Sequence, residues 1–215
     1  MFITICGIDG SGKTTLGQLL ADELGRLPGS DGKALKAIYT KIVTAESPFV
    51  RFFKQLIDTD PHFGGASQNY VFAFERVRTA EEVLQPILDK HDITVVDRFV
   101  YCDMAFSAAR GDDGRMHRIV LNHVPTPDLC FITDVPVEVA MARIVARDEA
   151  PWPHQENEHL LRKARQTYLA LAEEFGFSVI DTSRGVQASL DDMLRVVRSK
   201  LGVAAARPPA VTGAA

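Results

Sequence analysis

Short apolar runs alternate along this chain with longer segments in which apolar residues recur every three or four positions. The short runs have the length and composition of strands buried on both faces, and the longer segments have the spacing of amphipathic helices. The predicted strands are Phe2–Cys6, Ala34–Tyr39, Ile93–Asp97, Leu129–Thr133 and Phe177–Asp181. The predicted helices are Lys13–Arg26, Pro48–Asp58, Ser67–Lys90, Val100–Arg110, Pro136–Arg147, Glu156–Phe175 and Ser189–Leu201. This alternation predicts an α/β fold with a parallel sheet.

The segments between these elements carry residues that are typical of loops. Glycine, proline and aspartate mark residues 27–32, 60–65 and 111–114 as predicted loops. No repeat or linker divides the chain, so we expect one domain over residues 1–202, which is long enough for a sizeable core. Residues 203–215 are small and interrupted by prolines, and we expect them to form a disordered tail.

The first predicted strand leads into a glycine-rich segment, residues 7–15, and then into a helix. Gly7, Gly12, Lys13 and Thr14 satisfy the pattern G-x-x-x-x-G-K-[ST] of a phosphate-binding loop. Glycines let several backbone N–H groups point at one phosphate, and the helix adds the positive end of its dipole. In such loops the lysine reaches the terminal phosphates and the hydroxyl ligates magnesium. The pattern therefore predicts a nucleoside triphosphate bound to Gly7, Asp9, Gly10, Ser11, Gly12, Lys13, Thr14 and Thr15.

A second pair of candidate site residues, Asp97 and Arg98, stands at the end of the strand Ile93–Asp97. A carboxylate at the carboxyl end of a parallel strand lies at the ligand-binding edge of the sheet, so we expect Asp97 beside the phosphate loop. There, Asp97 would hold magnesium together with Thr14, directly or through water, and Arg98 would offer its planar guanidinium to a phosphate. The alternative is a simple ion pair between Asp97 and Arg98 at the end of the strand.

Composition narrows the class of protein further. Of the 215 residues, 46% are hydrophobic and 24% are charged, as in an ordinary globular protein. The net charge of −4 argues against a surface for nucleic acid or for an anionic membrane. Three widely separated cysteines in apolar surroundings are typical of reduced, buried thiols. Because neither a leader nor an apolar run of membrane-spanning length is seen, we expect a cytoplasmic protein.

Several segments, taken in order, resemble the thymidylate kinase family. Residues 97–107, DRFVYCDMAFS, are similar to the family segment D-R-[YFH]-x-x-S-x-x-A-[YF], and residues 72–76, FAFER, are similar to its F-A-x-D-R helix. Further matches are Pro127-Asp128-Leu129, Asp134-Val135-Pro136, Arg143 with Arg147, Arg165 before Tyr168, and Val179-Ile180-Asp181. The single pieces are weak signals, but their order and spacing are specific over about residues 3–200.

This resemblance implies a P-loop NTPase-type fold: a doubly wound, five-stranded parallel sheet with helices on both faces and a short lid. It also implies ATP-dependent phosphorylation of a deoxynucleoside monophosphate, dTMP above all, with Mg²⁺ as the metal. The catalytic residues by resemblance are Asp9, Lys13, Asp97, Arg98 and Arg147, with the metal held by Thr14 and Asp97.

For the acceptor nucleotide, the resemblance implies one role for each of several residues. Phe72 would stack on the base, Arg76 would donate to a base carbonyl, and Phe106 would lie against the sugar. Asp9 would meet the sugar 3′-hydroxyl, and Arg98 would clamp the acceptor phosphate. The full set expected to bind this substrate is Asp9, Lys41, Arg51, Phe72, Arg76, Arg98, Asp103 and Phe106.

On the donor side, the resemblance puts Arg143 near the adenine and phosphates of ATP. It puts Arg147 at the start of the lid, which would cover about residues 148–156. It also implies a homodimer built on the helices around residues 67–90 and 100–110.

Three features depart from the family pattern. The family has an arginine either in the phosphate loop or in the lid. Here residues 8–11 of the loop and residues 148–155 of the lid contain no Arg or Lys, so Arg143, Arg147 or Arg162 supplies that charge, or turnover is slow. Lys41 stands where an arginine-containing motif usually contacts the acceptor phosphate, and a lysine lacks the two-pronged geometry of arginine. Asp103 stands near the base, where the family commonly has a neutral residue.

Because of Asp103, the identity of the base in the acceptor nucleotide stays open. An ionised carboxylate accepts from the thymine N3–H but repels its carbonyls, and it suits an exocyclic amine better. Alternatively, Asp103 points to water or caps the helix. If it faces the base unpaired, Asp103→Asn should improve the use of dTMP.

Two other functions stay open. A deoxynucleoside kinase would need a general base for the sugar hydroxyl, whereas the second strand is followed by Lys41 rather than by a glutamate. A catalytically weakened nucleotide-binding protein is favoured by the altered lid and by Lys41, and is opposed by the intact Lys13, Thr14, Asp97 and Arg98.

Overall fold

Five parallel strands form one sheet in the order β2-β3-β1-β4-β5. The computed structural model describes residues 1–29, 32–42, 48–60, 66–146 and 158–202. The strands are β1 (Phe2–Cys6), β2 (Ala37–Lys41), β3 (Ile93–Asp97), β4 (Leu129–Asp134) and β5 (Ser178–Asp181). The predicted α/β class and the all-parallel sheet are therefore confirmed.

Helices connect the strands and cover both faces of the sheet. They are α1 (Lys13–Gly25), α2 (Pro48–Thr59), α3 (Ala66–Thr79), α4 (Gln85–Leu88), α5 (Val100–Ala109), α6 (Arg115–Val120), α7 (Val137–Val145), α8 (Glu158–Phe175) and α9 (Val186–Leu201). One apolar layer lies between the sheet and α1 with α9, and includes Ile5 and Val95. The other lies between the sheet and α5 with α8, and includes Val96 and Ile132. Successive side chains along β3 therefore point to opposite faces of the sheet and pack into two separate cores.

The sheet order places the two candidate halves of the site next to each other. β1 pairs with β3 so that Ile5 lies opposite Asp97. β2 pairs with the other edge of β3, and Lys41 lies opposite Asp97. Because all strands are parallel, the phosphate loop after β1, the end of β2 and Asp97 meet at one edge of the sheet.

The second strand begins and ends later than predicted. β2 begins at Ala37, not at Ala34, and extends to Lys41. Ala34 instead pairs with Pro28 in an isolated antiparallel bridge, so this part of the chain is used in the turn after α1. The shift brings Lys41 into the ladder.

The predicted helix Ser67–Lys90 is interrupted. α3 ends at Thr79, a π-helical segment covers Ala80–Leu84, and α4 ends at Leu88. Pro86 explains the interruption, because it cannot donate to the carbonyl four residues earlier and its ring crowds that carbonyl. Periodicity alone did not indicate this break.

Other differences are small or concern short elements. The helix α6 was not predicted, since six residues are too few for a clear periodic pattern. α9 begins at Val186, three residues before the predicted start. The predicted lid at 148–156, with Arg147, and the predicted tail at 203–215 lie outside the described residues. Within the described ranges, no helix has both the length and the apolar character needed to cross a membrane.

Candidate active site

The phosphate loop curls between the end of β1 and the start of α1. The first intrahelical amide bond runs from Leu16 to the Gly12 carbonyl at 3.0 Å. The N–H groups of Lys13, Thr14 and Thr15 therefore form the open amino end of α1, which is suited to an anion. Gly12 precedes them in the left-handed conformation, with φ of 88°. A helix start with free amides is thus built directly onto the glycine loop.

The loop packs too closely against β4 and α7 for larger residues. A Cβ at Gly7 would lie 2.5 Å from the Thr133 carbonyl oxygen, and a Cβ at Gly10 would lie 2.9 Å from the Cα of Ala140. The Thr133 hydroxyl donates to the Cys6 carbonyl at 3.1 Å. Its one hydrogen is thereby used, so Ser11 Oγ is the donor in the 2.7 Å bond between these two hydroxyls. Ser11, predicted as a phosphate-loop residue, therefore also fixes the loop to β4.

Lys13 is held inside the loop. Its side chain is buried, and Nζ donates to the Ile8 carbonyl at 2.7 Å. Burial, followed by repulsion from Arg98, lowers the pKa of Lys13 to about 8. A cation desolvated in this way gains strongly from an arriving phosphate, because the phosphate replaces the missing counter-charge.

Asp97 is the centre of the polar cluster at the sheet edge. It is 2% exposed, and its Oδ2 accepts from Thr14 Oγ1 at 2.6 Å and from Tyr39 OH at 2.8 Å. Lys41 Nζ lies 3.7 Å from the same oxygen. Burial by itself raises the pKa of Asp97, but the charge of Lys13 and the donors Thr14 and Tyr39 outweigh it, so the pKa is lowered. The carboxylate is therefore ionised at neutral pH.

The cluster fits a magnesium ion. Asp97 Oδ1 is buried and has no hydrogen-bond partner in the described structure. The Thr14 hydroxyl donates its hydrogen to Asp97, which leaves its oxygen lone pairs available to a cation. Two hard oxygen donors beside a phosphate loop are the ligands that Mg²⁺ takes in nucleotide sites. Thr14 and Asp97, the predicted metal ligands, are thus brought together.

Arg98 turns back from β3 towards the loop. It has φ of 69°, the single positive φ of a non-glycine residue in the described ranges. Its amide donates to the Ile5 carbonyl at 3.0 Å, and its guanidinium is paired with Asp9. The Asp9 carboxylate raises the pKa of Arg98 although burial opposes this, so Arg98 is permanently charged. Such strained backbone is typical of functional positions. Arg98 pairs with Asp9 rather than with Asp97, unlike the simple strand-end pair considered from sequence.

Phe106 lies beneath this arginine. The Arg98 guanidinium carbon is 5.9 Å from the ring centroid, and the Arg110 guanidinium carbon is at the same distance. Phe106 is also 6% exposed and packs edge-on against Tyr168. The ring therefore both belongs to the core and supports the arginine, as cation–π contacts do.

Arg76 and Asp103 are paired, which neither sequence alternative foresaw. Arg76 Nε donates to Asp103 Oδ2 at 2.8 Å, and NH2 donates to Oδ1 at 3.1 Å. The two side chains are 7% and 19% exposed. Asp103 therefore neither faces the base as an unpaired charge nor points to water. Phe72, one turn before Arg76 on α3, is 38% exposed.

A second polar network ties α3, α5 and α6 together. The Ser107 hydroxyl donates to Asn69 Oδ1 at 3.1 Å and lies 2.7 Å from His117 Nε2. Asn69 Nδ2 donates to Asp112 at 2.7 Å. Because the one hydroxyl hydrogen of Ser107 is used by Asn69, His117 donates through Nε2 and its buried Nδ1 is an unpaired acceptor. Burial lowers the pKa of His117, in keeping with a neutral ring.

The remaining predicted residues lie around this centre. Arg143 donates from NH1 to the Gly10 carbonyl at 3.2 Å and from NH2 to the Thr182 carbonyl at 2.9 Å. It therefore joins the phosphate loop to the segment after β5. Arg51 is exposed on α2, the helix that follows β2 in the chain, and its role stays a prediction. Arg147 lies outside the described residues.

A phosphate loop with a buried lysine, a carboxylate on the neighbouring strand and an adjacent arginine define a P-loop phosphotransferase. The family model for thymidylate kinase matches residues 5–193. "Probable thymidylate kinase 1" of Saccharolobus solfataricus is 32% identical over 199 residues, covering 93% of this chain and 97% of the relative. "Probable thymidylate kinase" of Pyrobaculum aerophilum is 32% identical, covering 93% and 99%. The chain belongs to the thymidylate kinase family and is a nucleoside monophosphate kinase.

Sequence reasoning missed several residues of the site. The sequence pattern predicts Tyr39 only as the end of a strand and Thr133 only as a strand residue. Ser107, Asn69 and His117 were not singled out, although a polar pair on two facing helices is a signal that could have been sought. Each of them acts through a contact that is distant in sequence, which local patterns do not reveal.

Proposed function

We propose that the protein transfers the γ-phosphoryl group of ATP to dTMP, with Mg²⁺ bound, giving ADP and dTDP. The observation that carries the proposal is that the candidate residues for the phosphate donor and those for the acceptor lie together at one edge of the sheet. Lys13, Thr14 and Asp97 would bind the triphosphate, and Arg98 is paired with Asp9 of the same phosphate loop, where it would bind the acceptor. Transfer would then depend on position and charge rather than on a covalent protein intermediate.

The donor half would be bound by the amides of the phosphate loop and by Lys13. Thr14 and Asp97 would hold the magnesium ion, which when bound neutralises charge on the phosphate oxygens. Lys13 would move its hydrogen bond from the Ile8 carbonyl to a phosphate oxygen. Arg143 would keep Gly10 and the segment around Thr182 in place beside the nucleotide.

The acceptor phosphate would be bound by Arg98. The guanidinium is paired with Asp9 in the structure, and a phosphate of higher charge would compete for it. Asp9 would then be free to accept from the sugar 3′-hydroxyl. Lys41, exposed at the end of β2, would add a second positive charge.

The base would be read by the Arg76–Asp103 pair. Asp103 takes two of the five N–H donors of Arg76, so donors remain for a base carbonyl. The paired carboxylate still has lone pairs for a ring N–H. Arg76 would donate to O4 of thymine, and Asp103 would accept from its N3–H. Cytosine in the same position would present an amine to Arg76 and a lone pair to Asp103, so neither hydrogen bond would form. The half-exposed ring of Phe72 would stack on the base.

Phosphorylation of a nucleoside is less well supported. It would need a general base near the sugar hydroxyl, and the end of β2 carries Lys41, which lies near Asp97. Arg98 would also have no phosphate to bind in that reaction.

We further propose a homodimer formed through α3. Tyr70 and Phe74, four residues apart on this helix, are 57% and 56% exposed. Most side chains of α5 are buried within one chain, so α5 offers less surface than we expected from sequence. Light scattering should show a dimer for the wild type and a monomer for Tyr70→Glu.

A cytoplasmic location is also proposed, supported by three free and buried cysteines.

The base and the cofactors are tested together in one steady-state assay. ADP release is measured with ATP and dTMP, dUMP, dCMP or dGMP, each with Mg²⁺ and with EDTA. We expect kcat/KM for dTMP and dUMP to exceed that for dCMP by tenfold or more, because one good polar match is worth about 1–3 kcal/mol. Equal use of dCMP, or turnover in EDTA, would contradict the proposal.

A further inference from the structure

Tyr39 connects β2 to the centre of the site. Its hydroxyl donates to Asp97 Oδ2 at 2.8 Å, across the ladder that joins β2 and β3. Thr14 donates to the same oxygen at 2.6 Å. Tyr39 is outside the phosphate-loop pattern, yet it shares its acceptor atom with a residue of that pattern.

The helix α1 leaves room for this tyrosine. A Cβ at Gly17 would lie 2.7 Å from Cε2 and 2.9 Å from Cδ2 of the Tyr39 ring. Contacts below 3.0 Å are not tolerated, so any larger residue at position 17 would displace the ring. Glycine is a poor residue inside a helix, and the ring of Tyr39 accounts for its presence there.

The two donors on Oδ2 fix the orientation of the carboxylate. Rotation of the Asp97 carboxylate would break both bonds, and this is costly because Asp97 is 2% exposed. Oδ1 is held in turn at a position where none of the described residues donates to it. Because an ionised carboxylate can only accept, the Tyr39 hydroxyl is the donor in this bond.

We propose that Tyr39 is a positioning residue for the magnesium site: it holds Asp97 through Oδ2 and so presents Oδ1 to the metal. This inference rests on the proposed function, since it assumes magnesium bound between Thr14 and Asp97. Mg²⁺ requires well-placed oxygen ligands, and partners that orient a metal ligand typically change affinity by about 10–100-fold.

Two variants disturb Tyr39 in different ways, and a third variant serves as a control. Tyr39→Phe removes the hydroxyl and keeps the ring, so it should not affect folding. Gly17→Ala keeps the hydroxyl and displaces the ring. Gly25→Ala is the matched control in the same helix, because a Cβ there would lie at an ordinary 3.6 Å from the Ala37 Cβ.

The readout is the dissociation constant of ADP, measured by calorimetry with excess Mg²⁺ and again with EDTA. The ratio of the two constants gives the contribution of the metal without requiring turnover. In Tyr39→Phe and Gly17→Ala, we expect this ratio to fall by about tenfold while the constant in EDTA is unchanged. Gly25→Ala should match the wild type, and the double variant should lose no more than Tyr39→Phe alone.

Three results would overturn the inference. The first is an unchanged ratio of the two ADP dissociation constants in Tyr39→Phe, and the second is an equal loss of ADP affinity in EDTA, which would indicate a general defect of the loop. The third is a further loss when Tyr39→Phe and Gly17→Ala are combined. If the ADP affinity of the wild-type protein were the same with Mg²⁺ and with EDTA, this would instead contradict the proposed function itself.

Discussion

Arg76 on α3 and Asp103 on α5 face each other in a two-point ion pair, with Nε–Oδ2 and NH2–Oδ1 distances of 2.8 and 3.1 Å. The sequence led us to expect an unpaired carboxylate near the base, or one that points to water. An unpaired Asp103 would be improved by asparagine, whereas a paired one would be damaged by it. The pairing therefore reverses the expected effect of that substitution.

We predict that Asp103→Asn destabilises the protein and lowers kcat/KM for dTMP. Asparagine offers one acceptor in place of two and no charge, so the buried Arg76 loses its counter-ion. Loss of one partner from such a pair costs about 2 kcal/mol or more. Urea unfolding measures the loss, and Asp191→Asn on the exposed face of α9 is the control. A more stable variant with better use of dTMP would restore the sequence-based interpretation.

We predict that Lys13→Ala abolishes phosphoryl transfer and leaves the fold intact. The ammonium is buried at the loop and would offset the charge on the transferred group, and loss of one such preorganised donor typically costs about 10²–10³-fold in kcat. The measurement is kcat with dTMP, with folding checked by circular dichroism. Turnover close to that of the wild type in a folded variant would disprove the catalytic role.

The pKa of Lys13, lowered to about 8, predicts a pH dependence of nucleotide binding. Below pH 8 the loop carries an ammonium that attracts phosphate, and above pH 8 the free protein loses this charge. ADP affinity should therefore fall by up to tenfold per pH unit as the pH rises above 8. Calorimetry between pH 7 and 9.5 measures this, and Lys13→Met should lack the dependence. A wild type and variant with parallel profiles would assign the titration to another group.

We predict that Arg98→Ala raises KM for dTMP and lowers kcat together, because Arg98 would both bind the acceptor phosphate and orient it. Arg98→Lys keeps the charge but not the paired donors, and it should recover only part of the activity. Steady-state kinetics on the two variants test this. If only kcat changed in both, Arg98 would not bind the acceptor.

We predict that His117 makes the protein less stable in mild acid. Burial lowers its folded pKa below the unfolded value of 6.5, so the unfolded chain binds the proton more readily. The free energy of unfolding should therefore fall as the pH drops below about 6.5. Urea unfolding of the wild type and of His117→Asn at pH 7.5 and 5.5 tests this. The control is His123→Asn, which changes an exposed histidine. A steeper loss in His117→Asn than in the wild type would contradict the assignment.

The parts that could be predicted from sequence are those with a local pattern. Buried strands such as Ile93–Asp97 have a continuous apolar run, and the phosphate loop has fixed residue spacing, so both were located correctly. The strand β2 was placed too early, because the bridge between Pro28 and Ala34 is a tertiary contact. The pairing of Arg76 with Asp103 was missed for the same reason, since 27 residues separate the partners.

The central claim is that the acceptor is the phosphate of a nucleoside monophosphate, held by Arg98. The most direct test is kcat/KM of the wild-type protein for dTMP and for thymidine, with ATP and Mg²⁺ in the same coupled assay. We predict that dTMP is used at least a hundredfold better, because thymidine has no phosphate for Arg98 and because the described end of β2 carries Lys41 rather than a general base for its hydroxyl. Faster phosphorylation of thymidine than of dTMP would contradict the claim and identify a nucleoside kinase instead.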